Sequence, residues 1–249
     1  MMKNFRIIPS LLIKDKRLVK GKNFKNHIDS GDPVKTCVAY DSQLADEIIL
    51  VDLGAFEKKT KPDFETLDKV VNECNTPLTF GGNISNLDDA ICAIKAGADK
   101  VLINTNLSET LINQISEKFG NQSIVAGIDL ILKDDKIFQF HNNQILEVNL
   151  YDKISEILKL NIGELKITFV EKEGTKKGFN HNLAQEIIKI TDKPIIFEGG
   201  FSTLKDIEEA FKRNINSIAL GAMITFSDNN IFKIKQYLEN LGYNMRLRD

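Results

Sequence analysis

The chain has 249 residues, of which 42% are hydrophobic and 27% charged, and its formal net charge is -2. That balance supports a sizeable core and lacks the basic footprint of a nucleic-acid binder. Apolar runs are strand-sized, short of the ~20 residues of a membrane span, and MMKNFRIIPSLLIKDK has no small-residue cleavage site, so a cytoplasmic protein without membrane contact is expected.

In chain order, runs rich in Ile, Val and Leu predict strands over 6–12, 47–52, 78–80, 100–104, 124–129, 165–168, 195–197 and 217–221. Helical spacing falls between them over 64–74, 87–95, 150–159 and 204–213, with Asp63, Asn86, Asn149 and Thr203 as N-caps. Eight apolar strands alternating with helices predict a parallel sheet closed into a (β/α)8 barrel. No Pro/Gly/Ser-rich linker interrupts the chain, so residues 1–249 read as one α/β domain. Two connections are long. Residues 13–33 carry Lys14, Lys16, Arg17, Lys20, Lys22 and Lys25, while residues 133–147 read as a hairpin turning at Asn142–Asn143. Long loops after barrel strands line the active face.

Residues 76–105 return, without a gap, as residues 193–222. Pro77, Phe80, Gly82, Ser85, Leu87 and Asp89 match Pro194, Phe197, Gly199, Ser202, Leu204 and Asp206 at an offset of 117 (194 − 77). A repeat near half the chain length favours the closed barrel, each half giving four strands. Cys37, Cys74 and Cys92 lack CxxC spacing and read as reduced core thiols. His27, His141 and His181 are scattered, so neither a metal nor another cofactor is expected.

Gly81–Gly82 and Gly199–Gly200 follow the third and seventh predicted strands, each before a helix start. Backbone N–H groups at such a place meet anions closely, although glycines there also suit tight turns. The strands after them end in Asn104–Thr105 and Gly221–Ala222. The duplicated context points to a ligand with two phosphates, a phosphorylated small molecule.

The stretches RIIPSLLIKDKRLVKGKNF, DSGDPV, DEIILVDL, FGGNI, GADKVLINT, AGIDL and EGTKKGF resemble the cyclase subunit of imidazole glycerol phosphate synthase, a (β/α)8 enzyme of histidine biosynthesis. The resemblance implies a heterodimer with a class I glutaminase on the N-terminal face of the barrel. Ammonia would then cross the barrel to a bisphosphate at the C-terminal face, where the ring closes. The family's charged ammonia gate falls on Arg6, Glu47, Lys100 and Glu164, all four kept in type. Two Glu, one Arg and one Lys form a neutral set whose burial is tolerable only when they pair; a polar plug at the barrel end is the structural alternative.

The catalytic face is less faithful. The resemblance implies two aspartates as acid and base; Asp129 matches one, and Leu12 stands where the other belongs. Leucine exchanges no proton, and losing one such group costs roughly 10²- to 10⁴-fold in rate. Asp15 and Asp52 are the nearby carboxylates for a rescue. Glu173–Gly174 replace the usual Asp-Gly within the phosphate-binding set, and Glu198 stands where a small residue is usual. An acid beside a phosphate needs an offsetting cation, for which Lys20, counted with the phosphate-binding residues, and Lys172 are the candidates. An intact gate with an altered mouth is similar to a paralogous group that serves acetamidino modification of nucleotide sugars in surface glycans, with a sugar amidotransferase as further partner. That reading leads; a genuine cyclase and a non-catalytic docking scaffold are the alternatives.

Overall fold

Strands buried on both faces need neighbours on both edges as well, and a closed ring provides them. The computed structural model describes residues 5–247, so Met1–Asn4 of the N-terminal stretch discussed above lie outside it. In chain order it contains β1 (Arg6–Lys14), β2 (Arg17–Lys22), β3 (Lys25–Gly31), β4 (Ile48–Asp52), β5 (Leu78–Gly81) and β6 (Lys100–Ile103). Then come β7 (Ile124–Lys133), β8 (Lys136–His141), β9 (Gln144–Glu147), β10 (Glu164–Phe169), β11 (Ile195–Glu198) and β12 (Ser217–Leu220). The ring runs β1-β4-β5-β6-β7-β10-β11-β12, and β12 closes onto β1 with Arg6 opposite Ser217. Every junction in it is parallel. The chain is a (β/α)8 barrel, as its apolar pattern predicts.

All four predicted helices are present, and their caps explain their starts. Asp63, Asn86, Asn149 and Thr203 accept from Thr66, Asp89, Asp152 and Asp206 backbone N–H groups. The repeat is visible atom by atom. Asp89 accepts from the Ser85 N–H and hydroxyl, and Asp206, 117 residues on, does the same for Ser202. Likewise the Ile48 N–H donates to the Pro77 carbonyl at 2.8 Å, and the Leu165 N–H to Pro194 at 3.0 Å.

Inward-facing residues stack in layers. Ile8, Ile49, Leu102, Val125, Ile196 and Ala219 form a buried apolar layer. Register places Lys166 of β10 opposite Gly127 and Ile196 in that layer, the one charged side chain among these positions. The 133–147 hairpin forms as expected, β8 against β9, with Asn142 and Asn143 both at positive φ. Residues 13–33 are more ordered than a long loop. β1 continues to Lys14, turns at Asp15–Lys16, and pairs with β2, which turns at Asn23–Phe24 into β3. Neither turn has the Asn-Gly or Asp-Gly signature, and β3 is mostly exposed, so alternation never marked these strands. Phe24 and Phe140 meet edge to face, with centroids 5.7 Å apart, linking the two hairpins.

Candidate functional site

Four charges close the N-terminal end of the barrel. Arg6 pairs with Glu47 at 3.0 Å and with Glu164; Lys100 reaches Glu47 at 2.8 Å and Glu164 at 2.9 Å. Thr79 donates to Glu47 at 2.6 Å, and the Arg6 Nε donates to Ser217 at 2.9 Å. Each carboxylate therefore touches both cations, which is the pairing that makes their burial tolerable. Burial opposes ionisation at Glu164, but the Arg6 hydrogen bond and both neighbouring cations outweigh it and hold its carboxyl below the usual range. Burial likewise acts against charge on Arg6 and Lys100, and the glutamates outweigh it and raise both.

At the other end a cavity of about 220 Å³ opens, walled by Leu12, Asp52, Gly82, Asn104, Thr105 and Asp129 among others. The Asn104 Nδ2 donates to Asp129 at 2.8 Å. Burial pushes the Asp129 carboxyl up, against the pull of Lys166 and the hydrogen bonds of Asn104 and Thr168. The two candidate rescue groups are elsewhere engaged. Asp15 sits exposed at the β1–β2 turn, paired with Lys58. Asp52 faces the cavity but spends both oxygens on the Ala55 and Asp63 N–H groups, at 2.9 and 2.8 Å.

The glycine pairs are out of step by one. The 117 offset equates Gly82 with Gly199, and hence Gly81 with Glu198 and Asn83 with Gly200. Gly81 ends β5 against Leu102 and is not part of the cavity wall. Gly82 and Gly199 both have positive φ, and a side chain on either would strike a neighbouring strand's backbone, Asp52 or Phe169. Close strand approach is one reason for these two glycines. The second cradle gathers Glu173, Gly174, Gly199, Gly200, Gly221 and Ala222 around a hollow of about 10 Å³, roughly the room of one water. Lys20 lies over Gly221 and pairs with Glu173 at 2.7 Å. The Glu173 carbonyl accepts from the Asn23 N–H at 3.0 Å, which ties the β2–β3 turn over this side of the mouth. The two expected phosphate cradles are therefore unequal: one opens on the large cavity, the other is a small hollow with Lys20 over Gly221 beside it.

Glu198 is neutralised differently from the expectation. Lys166 is its ion-pair partner, Lys20 acts from further away while held by Glu173, and Lys172 makes no pair with it. Lys166 also donates to the Thr168 hydroxyl at 2.8 Å. Burial opposes charge on Glu198, yet Lys166 and Lys20 outweigh it and hold the carboxyl below its usual range. Sequence reasoning passed over Lys166. The signal was available: β10 alternates Glu164, Lys166 and Thr168 with the apolar Leu165, Ile167 and Phe169, which puts a lysine on its polar inward face next to a strand that ends in an unexpected acid.

The chain is thus a (β/α)8 barrel with a charged ring at one end, a cavity at the other and a sequence repeat near half its length. The chain matches the histidine biosynthesis protein family over residues 6–229. It is 34% identical over 246 residues to the imidazole glycerol phosphate synthase subunit HisF of Thermotoga sp. (strain RQ2), covering 97% of both chains. The subunit of the same name from Hydrogenobaculum sp. (strain Y04AAS1) is 37% identical over 248 residues, covering 97% of this chain and 98% of its own. That of Clostridium botulinum (strain Alaska E43 / Type E3) is 36% identical over 242 residues, covering 94% and 96%. This chain belongs to the histidine biosynthesis protein family.

Proposed function

We propose that the chain is the barrel subunit of a glutamine amidotransferase, taking ammonia from a class I glutaminase on its N-terminal face and using it at Asp129. The observation that carries this reading is the closed ring of Arg6, Glu47, Lys100 and Glu164 at the barrel end opposite the cavity that holds Asp129. Four charges kept on four strands around the barrel axis suit a selective inlet better than a plug, because hydrophobic residues of similar volume would close the end at no desolvation cost. The relatives, each described as a subunit of imidazole glycerol phosphate synthase, support ring closure on a phosphorylated acceptor as the reaction at the mouth. The open cradle at Gly82, Asn104 and Thr105 suits one phosphate of that acceptor; the other requires Lys20 to lift from Gly221. Purified chain supplied with ammonium and the histidine-pathway bisphosphate tests it: ammonia-dependent product formation is expected, and none above the enzyme-free rate rejects it.

A second reading rests on Leu12. Without a carboxylate there, ammonia would pass onward to acetamidino modification of a nucleotide sugar, handed to a sugar amidotransferase. The comparisons support ring closure more directly than this transfer. Restored growth of a histidine auxotroph lacking its own cyclase subunit separates the two, since the second reading predicts no growth.

A further inference from the structure

We propose that Glu198 is the second proton-transferring carboxylate of the mouth, doing from β11 the work that Leu12 cannot do from β1. The inference rests on the ring-closure reading above and deepens it.

Three consecutive barrel strands bring the groups together. Thr168 of β10 is in register with Asp129 on one side and Glu198 on the other, so the two carboxylates sit at one level with a single strand between them. Both are part of the cavity wall. Ser10 of β1, one inward-facing position below Leu12, lines the same cavity, and its hydroxyl helps hold the Glu198 carboxyl below its usual range. The register partner of Glu198 on β12, the strand between β11 and β1, is the small Ala219. Glu198 thus lines the same cavity as Leu12, from a strand two places along the ring.

Lys166 divides the roles. Its ammonium pairs with Glu198 and donates to Thr168 between the two acids. This cation and Lys20 hold the Glu198 carboxyl below its usual range, while burial holds that of Asp129 above it. Two carboxyls whose surroundings push them apart in this way are suited to opposite tasks in one step. When ammonia adds to a carbonyl carbon, the new C–N bond forms as the nitrogen gives a proton to Glu198 and the carbonyl oxygen takes one from Asp129. Water then leaves as the hydroxyl recovers the proton from Glu198 and the nitrogen returns one to Asp129. Ammonia and the carbonyl become an imine and water, and both carboxyls end as they began. Lys166 is a positioning residue in this scheme; it transfers nothing.

The experiment uses the full chain with ammonium chloride and the histidine-pathway bisphosphate, comparing wild type, Glu198→Gln and the charge-neutral double variant Lys166→Met/Glu198→Gln. The double variant guards against misfolding from an unpaired buried lysine, and thermal melting checks the fold of each. Glu198→Gln and the double variant are expected to lose roughly 10²- to 10⁴-fold in kcat with KM within a few-fold of wild type. Adding Leu12→Asp to Glu198→Gln is expected to recover a measurable part of kcat, which a purely structural role for Glu198 does not allow. A folded double variant within threefold of wild-type kcat overturns the proposal and leaves ring closure standing. Wild type with no turnover above the enzyme-free rate overturns both.

Discussion

Leu12 presents hydrocarbon to the cavity beside Val51, its register partner on β4. A Leu12→Asp change places a carboxylate in that half-buried wall within reach of the acceptor site. An increase in ammonia-dependent kcat is expected, up to ~10-fold because Glu198 already serves part of the role; a lower kcat in a folded variant contradicts that division of labour. Asp129 carries a second residue-scale consequence. Its carboxyl is raised in the fold by burial, so the folded state binds its proton more tightly than the unfolded state. The cost of ionising it is absent below the ordinary aspartate range, appears as pH rises through the folded value, and is full above it. Asp129→Asn is therefore expected to raise the melting temperature at pH 8 and to converge on wild type near pH 3, measured by calorimetry. The charged ring has the opposite sign. Glu164 is held low by Arg6, so its stabilising contribution is present above the ordinary glutamate range and is lost as pH falls through its folded value. A Glu164→Gln variant is expected to show a flatter loss of stability on acidification.

At the scale of elements, the helix starts near the two glycine pairs are built alike, and their capping acids make a paired test. Asp206 accepts from the Ser202 N–H at 2.9 Å and the Thr203 N–H at 2.9 Å, and Asp89 accepts from the Ser85 N–H at 3.1 Å. Replacing either by Ala is expected to cost ~1 kcal/mol, typical of a lost cap, which is about 2–4 °C in Tm for a chain of this length. Equal shifts in the two variants, read by thermal melting, match the duplicated geometry; no shift in either contradicts it. These elements were legible because periodicity, caps and repeat all spoke together: an apolar run, a Ser-x-x-x-Asp start and an echo 117 residues later. β2 and β3 were not legible, since RLVKGK and KNHIDSG alternate weakly and turn at Asp15–Lys16 and Asn23–Phe24 without glycine. What fixes them is tertiary, the hold of Glu173 on the Asn23 backbone and of Lys20 on Glu173. The charged ring was readable because each member has the residue type the resemblance implies, at or just before a strand start. The Lys166–Glu198 pair was only half readable: register between strands about 30 residues apart decides which charges meet, and one sequence does not display it.

For the whole molecule, the proposed function makes the barrel a conduit from the charged ring to the cavity, so changes at one end should register at the other. Lys100→Glu removes two ion pairs and gathers three carboxylates around Arg6. Breaking such a buried set costs ~3–5 kcal/mol, a large share of an ordinary domain's stability, so folding of the variant is checked by thermal melting before activity is read. In complex with the glutaminase partner, its ammonium-driven rate is expected to persist while the glutamine-driven rate falls; an unchanged ratio of the two rejects the inlet. Anion binding offers an independent view of the mouth. Phosphate is expected first at Gly82 and Asn104, where the cavity is open, and at Gly200 and Gly221 only once Lys20 has moved. The central claim, that ammonia is used at Asp129, is tested most directly by steady-state turnover of the bisphosphate with ammonium, comparing wild type with Asp129→Asn. Wild type is expected to form product above the enzyme-free rate, and Asp129→Asn to lose ~10²- to 10⁴-fold in kcat with KM little changed; equal rates for two folded proteins contradict the account.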